Sequence, residues 1–353
     1  MDVGMTLTVR DYPAQSEPLT EIYARNIEDA VYAESLGLDF VWVSEHHFAP
    51  DAWSPSPLHI LGAIAARTTR LELGTNLLLM PFYHPLRLAE DVATLDILSN
   101  GRLSGLAVGS GSIEDEFESY AVPSNQRWGR LFEALHIMRE SYARDAYDHA
   151  GKYFSFPNIR MTTRPVQKPF PLWVGGFGEQ MVTRAGREGY HLQGGGPHLD
   201  KYLAALRENG YDPANFNHQL FAAGHIADTW DRAWDEVQAG LYYHRAFYEQ
   251  RDWIAHKAVA PFSKLQPPSE MRHDPGVRAP VGTPDDVLRK LEPLLKDSRI
   301  THFGFGFRHV GQTTAMVRHA MELFAREVLP VLKTWGRPSV KSPKADQPAA
   351  VQV

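Results

Sequence analysis

The sequence predicts an α/β chain closed into a (β/α)8 barrel, the TIM-barrel architecture, with an inserted loop region before the last βα unit. Three observations predict it. Short runs rich in β-branched and aromatic residues alternate eight times with amphipathic segments of helical period. No shift in composition divides the chain. The turn after the first run, VRDYPAQSEP, lacks the glycines that an open dinucleotide-binding sheet places there.

Each element has a local reason. Residues 4–9 form a short extended run before a polar turn. A helical pattern opens at Thr20, puts Tyr23, Ile27, Ala30 and Val31 on one face, and stops at Gly37. Residues 39–43 are a strand. Pro57 opens a second helix with Leu58, Leu61, Gly62 and Ala65 on one side, and residues 71–79 are extended again. The helix after Pro85 carries Leu88, Val92 and Leu95 and ends before Gly101, and residues 103–108 make the fourth strand. Trp128, Leu131, Phe132, Leu135 and Met138 then recur at helical spacing. Strands at 171–174 and 190–193 flank a helix near 180–188. A helix at 199–209 leads to a strand near 219–226 and a helix from Thr229. The rhythm breaks over 240–280, rich first in aromatics and then in proline and charge. It resumes with VGTPDDVLRKL, where Thr283 stands as N-cap, Pro284 at the first helical position and Asp286 three residues after the cap. Residues 300–307 are the eighth strand, and Val317, Ala320, Met321 and Phe324 mark the last helix. The chain therefore reads as one domain over 1–336, with 240–280 a lid insertion and 337–353 a polar, disordered tail.

Composition excludes several functions. The 353 residues, 43% of them hydrophobic, suffice for a sizeable core. A net charge of -6 with no extended Lys/Arg cluster argues against nucleic acid or an anionic membrane as partner. With no cysteine, disulfides, thiolate metal sites and cysteine nucleophiles are excluded. The first residues lack a secretion-signal pattern, and the run LLLMPF is too short to cross a bilayer. A soluble, cytoplasmic protein is expected.

Barrel chemistry sits where strands end and helices begin, which directs attention to SEHHF, GTNLLLMPFYHP, VGSGSIEDEF and VGGFGEQ. In the last, Gly175, Gly176 and Gly178 leave backbone N–H groups bare beside a helix start, suited to a phosphate or to a plain βα turn. Met181 stands at the third glycine of the dinucleotide fingerprint, so a Rossmann reading fails. Gly109, Ser110 and Gly111 make either a ligand loop or a turn, and Glu114, Asp115 and Glu116 would repel a phosphate close by. In EHHF, ionisable Glu45, His46 and His47 end an apolar run, a costly place for groups without partners or work. Adjacent strand residues face opposite ways, so the two histidines are poorly placed to share a metal, and no HExxH or thiolate completes a set. Two readings stay open: satisfied buried hydrogen bonds, or proton transfer by a histidine near neutral pH. His84 reads as a capping or packing residue. Trp53, Phe82 and Tyr83 line an apolar pocket or simply pack.

Taken in order, AESLGLDFVWVSEHHF, LELGTNLLLMPFYHPLRLAEDVATLDILSNGRL, GKYFSFPNIRMTTRPVQKPFPLWVGG and MELFAREVLPVL resemble the bacterial luciferase-like flavin-dependent monooxygenase family over nearly the whole ordered chain. The resemblance implies a homodimeric barrel that binds reduced FMN (FMNH2), supplied by a separate NAD(P)H:flavin reductase. With O2 the flavin would form a C4a-(hydro)peroxyflavin that oxygenates a small, fairly apolar organic substrate. It implies His46 as the flavin-site base or proton donor and Glu45 as its supporting carboxylate. Asn76 and Leu77 fall at the family's non-proline cis peptide under the isoalloxazine. Gly109 and Ser110 fall in a cofactor loop, and Gly176, Phe177 and Gly178 fall where backbone amides hold the FMN phosphate. Arg102 matches a recurrent arginine that reads as structural. Two departures stand out: LAVGSG has no cation after strand four, and Val108 stands nearest the place of the luciferase's reactive cysteine. Weak FMN retention is implied, and light emission is not. An F420-dependent hydride-transfer enzyme and a non-catalytic flavin-binding protein are the alternatives on this barrel.

Overall fold

A computed structural model describes residues 1–11, 17–249, 269–273 and 279–344. Eight parallel strands follow one another around a closed barrel: β1 (Asp2–Leu7), β2 (Phe40–Val43), β3 (Glu72–Thr75), β4 (Leu103–Gly109), β5 (Leu172–Gly176), β6 (His191–Gly194), β7 (His218–Ala223) and β8 (His302–Gly306). Val3 of β1 sits opposite Phe303 of β8, and Leu73 of β3 opposite Leu103 of β4. The surrounding helices are α1 (Leu19–Ser35), α2 (Pro57–Arg67), α3 (Pro85–Leu98), the short α4 (Glu114–Ser119), α5 (Arg127–Ala143), α6 (Glu179–Arg187), α7 (Leu199–Glu208), α8 (Trp230–Glu249), α9 (Pro284–Leu295) and α10 (Thr314–Leu323). The fold class read from the sequence is the one observed.

The strands are buried over most of their length because both faces are covered, one by helices and the other by the barrel interior. Helix residues such as Ile60, Leu61, Leu88, Val92, Val317 and Met321 form the outer core with the strands. Inside, Trp42 meets Trp173 edge-on at 5.1 Å, and Trp173 meets His302 at 5.3 Å. Gly105 makes room for this layer: a Cβ there would lie 2.1 Å from the Trp42 ring.

The capping box at α9 forms as expected, the Thr283 hydroxyl accepting from Asp286 N and the Asp286 carboxylate from Thr283 N at 3.0 Å. Arg102 is structural: its guanidinium donates to the carbonyls of Leu71 and Ala65, both at 2.8 Å, and to Ser99 O at 2.9 Å. Four features depart from the sequence reading. The expected strand at 219–226 is two, because the chain leaves the barrel at Gly224 and His225–Ile226 pairs with Val281–Gly282 outside it. An antiparallel hairpin, Tyr147–Ala150 with Ser155–Ile159, occupies a stretch to which the sequence reading assigns no element. The helical rhythm does not break at 240, since α8 continues to Glu249 with Tyr243 and Phe247 turned into an aromatic cluster. The rest of the expected lid, 250–268 and 274–278, lies outside the described residues.

The fourth departure is the tail. Residues 337–344 are not disordered but strapped across the amino-terminal ends of the strands. Val340 N donates to Asn217 Oδ1 at 2.8 Å, and Lys168 N to Pro343 O at 2.9 Å. The Lys341 ammonium lies 2.6 Å from Asp2 and 2.7 Å from Glu72. The backbone and lysine side chains find partners that a composition argument cannot see. Residues 345–353 lie outside the described residues.

Several histidines are neutral because they are buried. Burial lowers His191 and His218 to about 4 and His302 to about 3. His309 falls to about 4, and His225 is lowered too, in each case chiefly by burial. Once unfolded, each takes up a proton near the ordinary 6.5. Their stability contribution is therefore full above that pH and is lost as pH falls toward the folded values. Glu45 and Asp96, raised by burial, act in the opposite sense and are outnumbered. The unfolding free energy from urea titration should fall between pH 7 and pH 5, by up to ~1.4 kcal/mol per pH unit for each histidine, and the urea midpoint with it. A midpoint that holds or rises over that interval contradicts this account.

Candidate active site

The SEHH segment leaves β2 at the carboxyl-terminal mouth of the barrel, and the pleat sends its side chains to different partners. Glu45 is fully enclosed. One carboxylate oxygen accepts from Leu79 N at 3.0 Å, and the other accepts from the Tyr83 hydroxyl at 3.0 Å and lies 2.5 Å from His47 Nε2. The far nitrogen of His47 is 2.9 Å from the Tyr120 hydroxyl. Burial pushes the Glu45 carboxyl above its usual range, against the lowering pull of His47, Leu79 N–H and Tyr83. Tyr83 is itself raised, first by burial and then by the Glu45 charge.

His46 turns the other way. Its Nδ1 lies 2.9 Å from Glu116 Oε1 and its Nε2 2.9 Å from the Tyr248 hydroxyl of α8. The same Glu116 oxygen accepts from His47 N at 2.8 Å, and Oε2 is buried without a hydrogen-bond partner. The carboxylate beside His46 is thus Glu116, not Glu45, which reaches the site through His47 and Tyr83. The imidazole packs edge-on against Trp53 at 4.5 Å, and the Arg10 guanidinium stacks on the same indole at 4.3 Å. Arg10 pairs with Asp51 at 2.6 Å, and the Tyr243 hydroxyl donates to the same carboxylate at 3.0 Å.

The Asn76–Leu77 peptide is cis, as the resemblance implies. Asn76 Oδ1 accepts from Gln193 Nε2 at 2.6 Å. Leu77 explains two of the glycines: a Cβ on Gly109 would lie 2.8 Å from its side chain, and one on Gly175 would lie 2.1 Å away. Ser110 is buried beside them. Gly176 needs its freedom, at φ 148°. Phe177 is exposed. Gly178 differs from the rest: it caps α6 at φ -77°, and a Cβ there would meet nothing within 4 Å. Neither backbone nor packing demands glycine at 178, and what it supplies is room beside the first N–H groups of α6.

The ends of β2 to β5 and the segments that follow them therefore carry the candidate site residues Glu45, His46, Asn76, Leu77, Gly109, Ser110, Gly176, Phe177 and Gly178, whereas Arg102 lies at the opposite end of β4. His84 is the capping histidine expected, accepting from Arg87 N at 3.4 Å. Sequence reasoning missed Glu116, Tyr120, Tyr248 and the Arg10–Asp51 pair. Arg10 carried a signal, being a charged residue just past a barrel strand. The missing cation of LAVGSG also has a counterpart, since Arg127 of α5 reaches Gly111 O at 3.4 Å. Among the described residues, the grouping with metal-ligand spacing is Asp2, Glu72 and His302, at the opposite end, and the Lys341 ammonium binds both of its carboxylates.

Residues 1–302 match the family described as luciferase-like monooxygenase. The chain belongs to that family. Its relatives include the oxygenase component of a flavin-dependent trigonelline monooxygenase from Acinetobacter baylyi, 34% identical over 159 residues, which are 44% of this chain and 43% of the relative. They also include an F420-dependent glucose-6-phosphate dehydrogenase from Amycolatopsis mediterranei, 35% identical over 198 residues, 52% of this chain and 58% of the relative. The matches span about half the length of these curated relatives. Among solved structures, monooxygenase RslO1 from Streptomyces bottropensis superposes with a TM-score of 0.78 at 23% identity, covering 94% of this chain and 99% of that one, which bears on the fold.

Because Glu116 Oε1 serves both His46 and His47 N, replacing Glu116 with Ala strands two buried groups, at about 1–3 kcal/mol each. Glu116→Gln keeps the carbonyl acceptor and should cost less than half as much in urea denaturation. A Gln variant as unstable as the Ala variant contradicts this geometry.

Proposed function

We propose that the chain is the oxygenase component of a two-component monooxygenase that uses reduced FMN and O2 on a small organic substrate. The observation that carries the reading is the His46–Glu116 pair at the barrel mouth, covered by Tyr248, on the same end of the barrel as the roomy Gly178 turn. The residues fit a flavin mononucleotide. The α6 start, with Gly176, Phe177 and Gly178, would take the phosphate. Asn76, Leu77, Gly109 and Ser110 would support the ring, above a layer in which Gln193 Oε1 is buried without a partner. When bound, reduced flavin supplies the electrons that activate oxygen.

The chain's own residues manage protons and water. Glu116 holds His46 by Nδ1, so Nε2 is the atom that can give or take a proton once the Tyr248 hydroxyl moves off it. Trp53 and Phe247 wall the imidazole from solvent. Glu45 acts as a positioning residue, tying His47, Tyr83 and Leu79 N into one knot. Residues 240–249 supply part of a lid through Tyr248, as the sequence reading of 240–280 requires. A separate NAD(P)H:flavin reductase would supply FMNH2, a division of labour supported by the relative named as an oxygenase component. A homodimer would cover Leu98, 73% exposed on α3. No helix among the described residues is long and apolar enough to cross a membrane, and a cytoplasmic location is part of the proposal.

Hydride transfer with F420 is the second reading, supported by the F420-dependent relative. Anaerobic titration with photoreduced FMN and with reduced F420, followed by oxygen uptake, separates the two. The chain should bind FMNH2 and consume O2. Gly178→Val, permitted by the local backbone and space, should weaken FMNH2 binding at least about tenfold. His46→Gln should keep affinity within about threefold yet release the consumed oxygen mostly as hydrogen peroxide. Tight F420 binding without flavin-driven oxygen uptake would overturn the monooxygenase reading in favour of the second.

A further inference from the structure

A cavity of about 350 Å³ opens at the same barrel mouth but on the side of β1, β7 and β8. Its wall carries two deeply buried guanidinium groups, Arg10 and Arg308, whose side chains are only 5% and 8% exposed. Each spends Nε on a carboxylate that is not part of the cavity lining, Arg10 on Asp51 and Arg308 on Asp29. In both, Nη2 is buried without a hydrogen-bond partner. The start of α10 joins the same wall through Thr313 and Thr314, adding helix N–H groups and the positive end of its dipole. Thr6 and Thr8 add hydroxyls, and Ile22 and the Tyr243 ring add apolar surface.

Fixed cations, helix amides and hydroxyls on one buried wall form a receptor for an oxyanion. Acidic groups stand at the mouth: Asp11 lines it, and Glu17 there holds Arg25 at 2.6 Å. Those acids disfavour a dianion. The neighbouring His309 is lowered to about 4 by burial and adds no charge near neutral pH.

We infer that this cavity binds the carboxylate of a partly apolar organic acid, which is the substrate of the proposed monooxygenase. The assignment rests on that functional reading and replaces the fairly apolar substrate expected from the sequence. Arg10 connects the cavity to His46 through Trp53, which lies 4.3 Å from the guanidinium and 4.5 Å from the imidazole. The carboxylate would settle against Arg308 and the α10 start, with the carbon skeleton toward Tyr243.

Calorimetric titration of the full chain without flavin tests this with sodium benzoate, its neutral analogue benzamide, and phenyl phosphate. Benzoate should bind at least tenfold more tightly than benzamide and no more weakly than phenyl phosphate. The double variant Arg308→Gln with Asp29→Asn removes both charges of one pair, so no buried charge is stranded, and it should lose at least tenfold in benzoate affinity. Equal binding of benzoate and benzamide, no binding of either, or an unchanged double variant would overturn the assignment. Phenyl phosphate binding tenfold more tightly than benzoate would overturn it in favour of a phosphate ester. Should the double variant fail to fold, a crystal of the unaltered chain grown with benzoate decides: the carboxylate lies within hydrogen-bond reach of Arg308, or the assignment falls. Because benzoate is read without flavin, a chain that takes up benzoate but ignores FMNH2 sinks the functional reading alone, and the reverse outcome sinks only this site.

Discussion

Three ionisable side chains buried in succession at the end of β2 constrain the whole mouth of the barrel. A buried carboxylate or imidazole without partners costs several kcal/mol, so the chain must bring a polar atom to each. The structure shows how it does so. The excursion after β3 brings Leu79 N and Tyr83 to Glu45, and the segment after β4 brings Glu116 to His46 and Tyr120 to His47. The helix after β7 brings Tyr248. Satisfying SEHH thereby fixes how the loops of β3, β4 and β7 sit relative to one another, which is the scaffold on which any ligand must lie.

The two histidines divide the work because the pleat separates them. His47 is locked in a closed set with Glu45 and Tyr120, an arrangement suited to holding shape. His46 has one nitrogen fixed and the other under a removable hydroxyl, an arrangement suited to exchanging a proton. Trp53 joins this pair to the Arg10–Asp51 cluster, since it packs against both His46 and Arg10. The opposite end of the barrel shows the same rule without any chemistry: Asp2 and Glu72 are answered by Lys341 from the carboxyl-terminal strap.

The barrel was legible because its signals are local. Alternating apolar runs, Pro57, Pro85 and the Thr283–Asp286 cap each act within a few residues, and all are found where the sequence puts them. The site was legible only as far as one segment could show it. EHHF marked the place, but His46 meets Glu116 across 70 residues and Tyr248 across 202, distances no spacing argument bridges. Glu116 was even counted against its own loop, as a repellent of phosphate. The glycines show a different ambiguity. The side chain of Leu77 by itself accounts for the missing Cβ at Gly109 and Gly175, and Gly178 alone in that set has space that nothing in the fold fills. The tail at 337–344 was misread for a similar reason, its lysines being polar in composition and paired in space.

The most direct trial of the central claim is a crystal structure of the chain with FMN, read at the 2.9 Å contact between Tyr248 and His46 Nε2. The account predicts the flavin ring at the ends of β2 to β5, His46 still held by Glu116, and the Tyr248 hydroxyl displaced from Nε2. A flavin seated elsewhere on the barrel, or one bound there with Tyr248 unmoved and no contact to the imidazole, would contradict it.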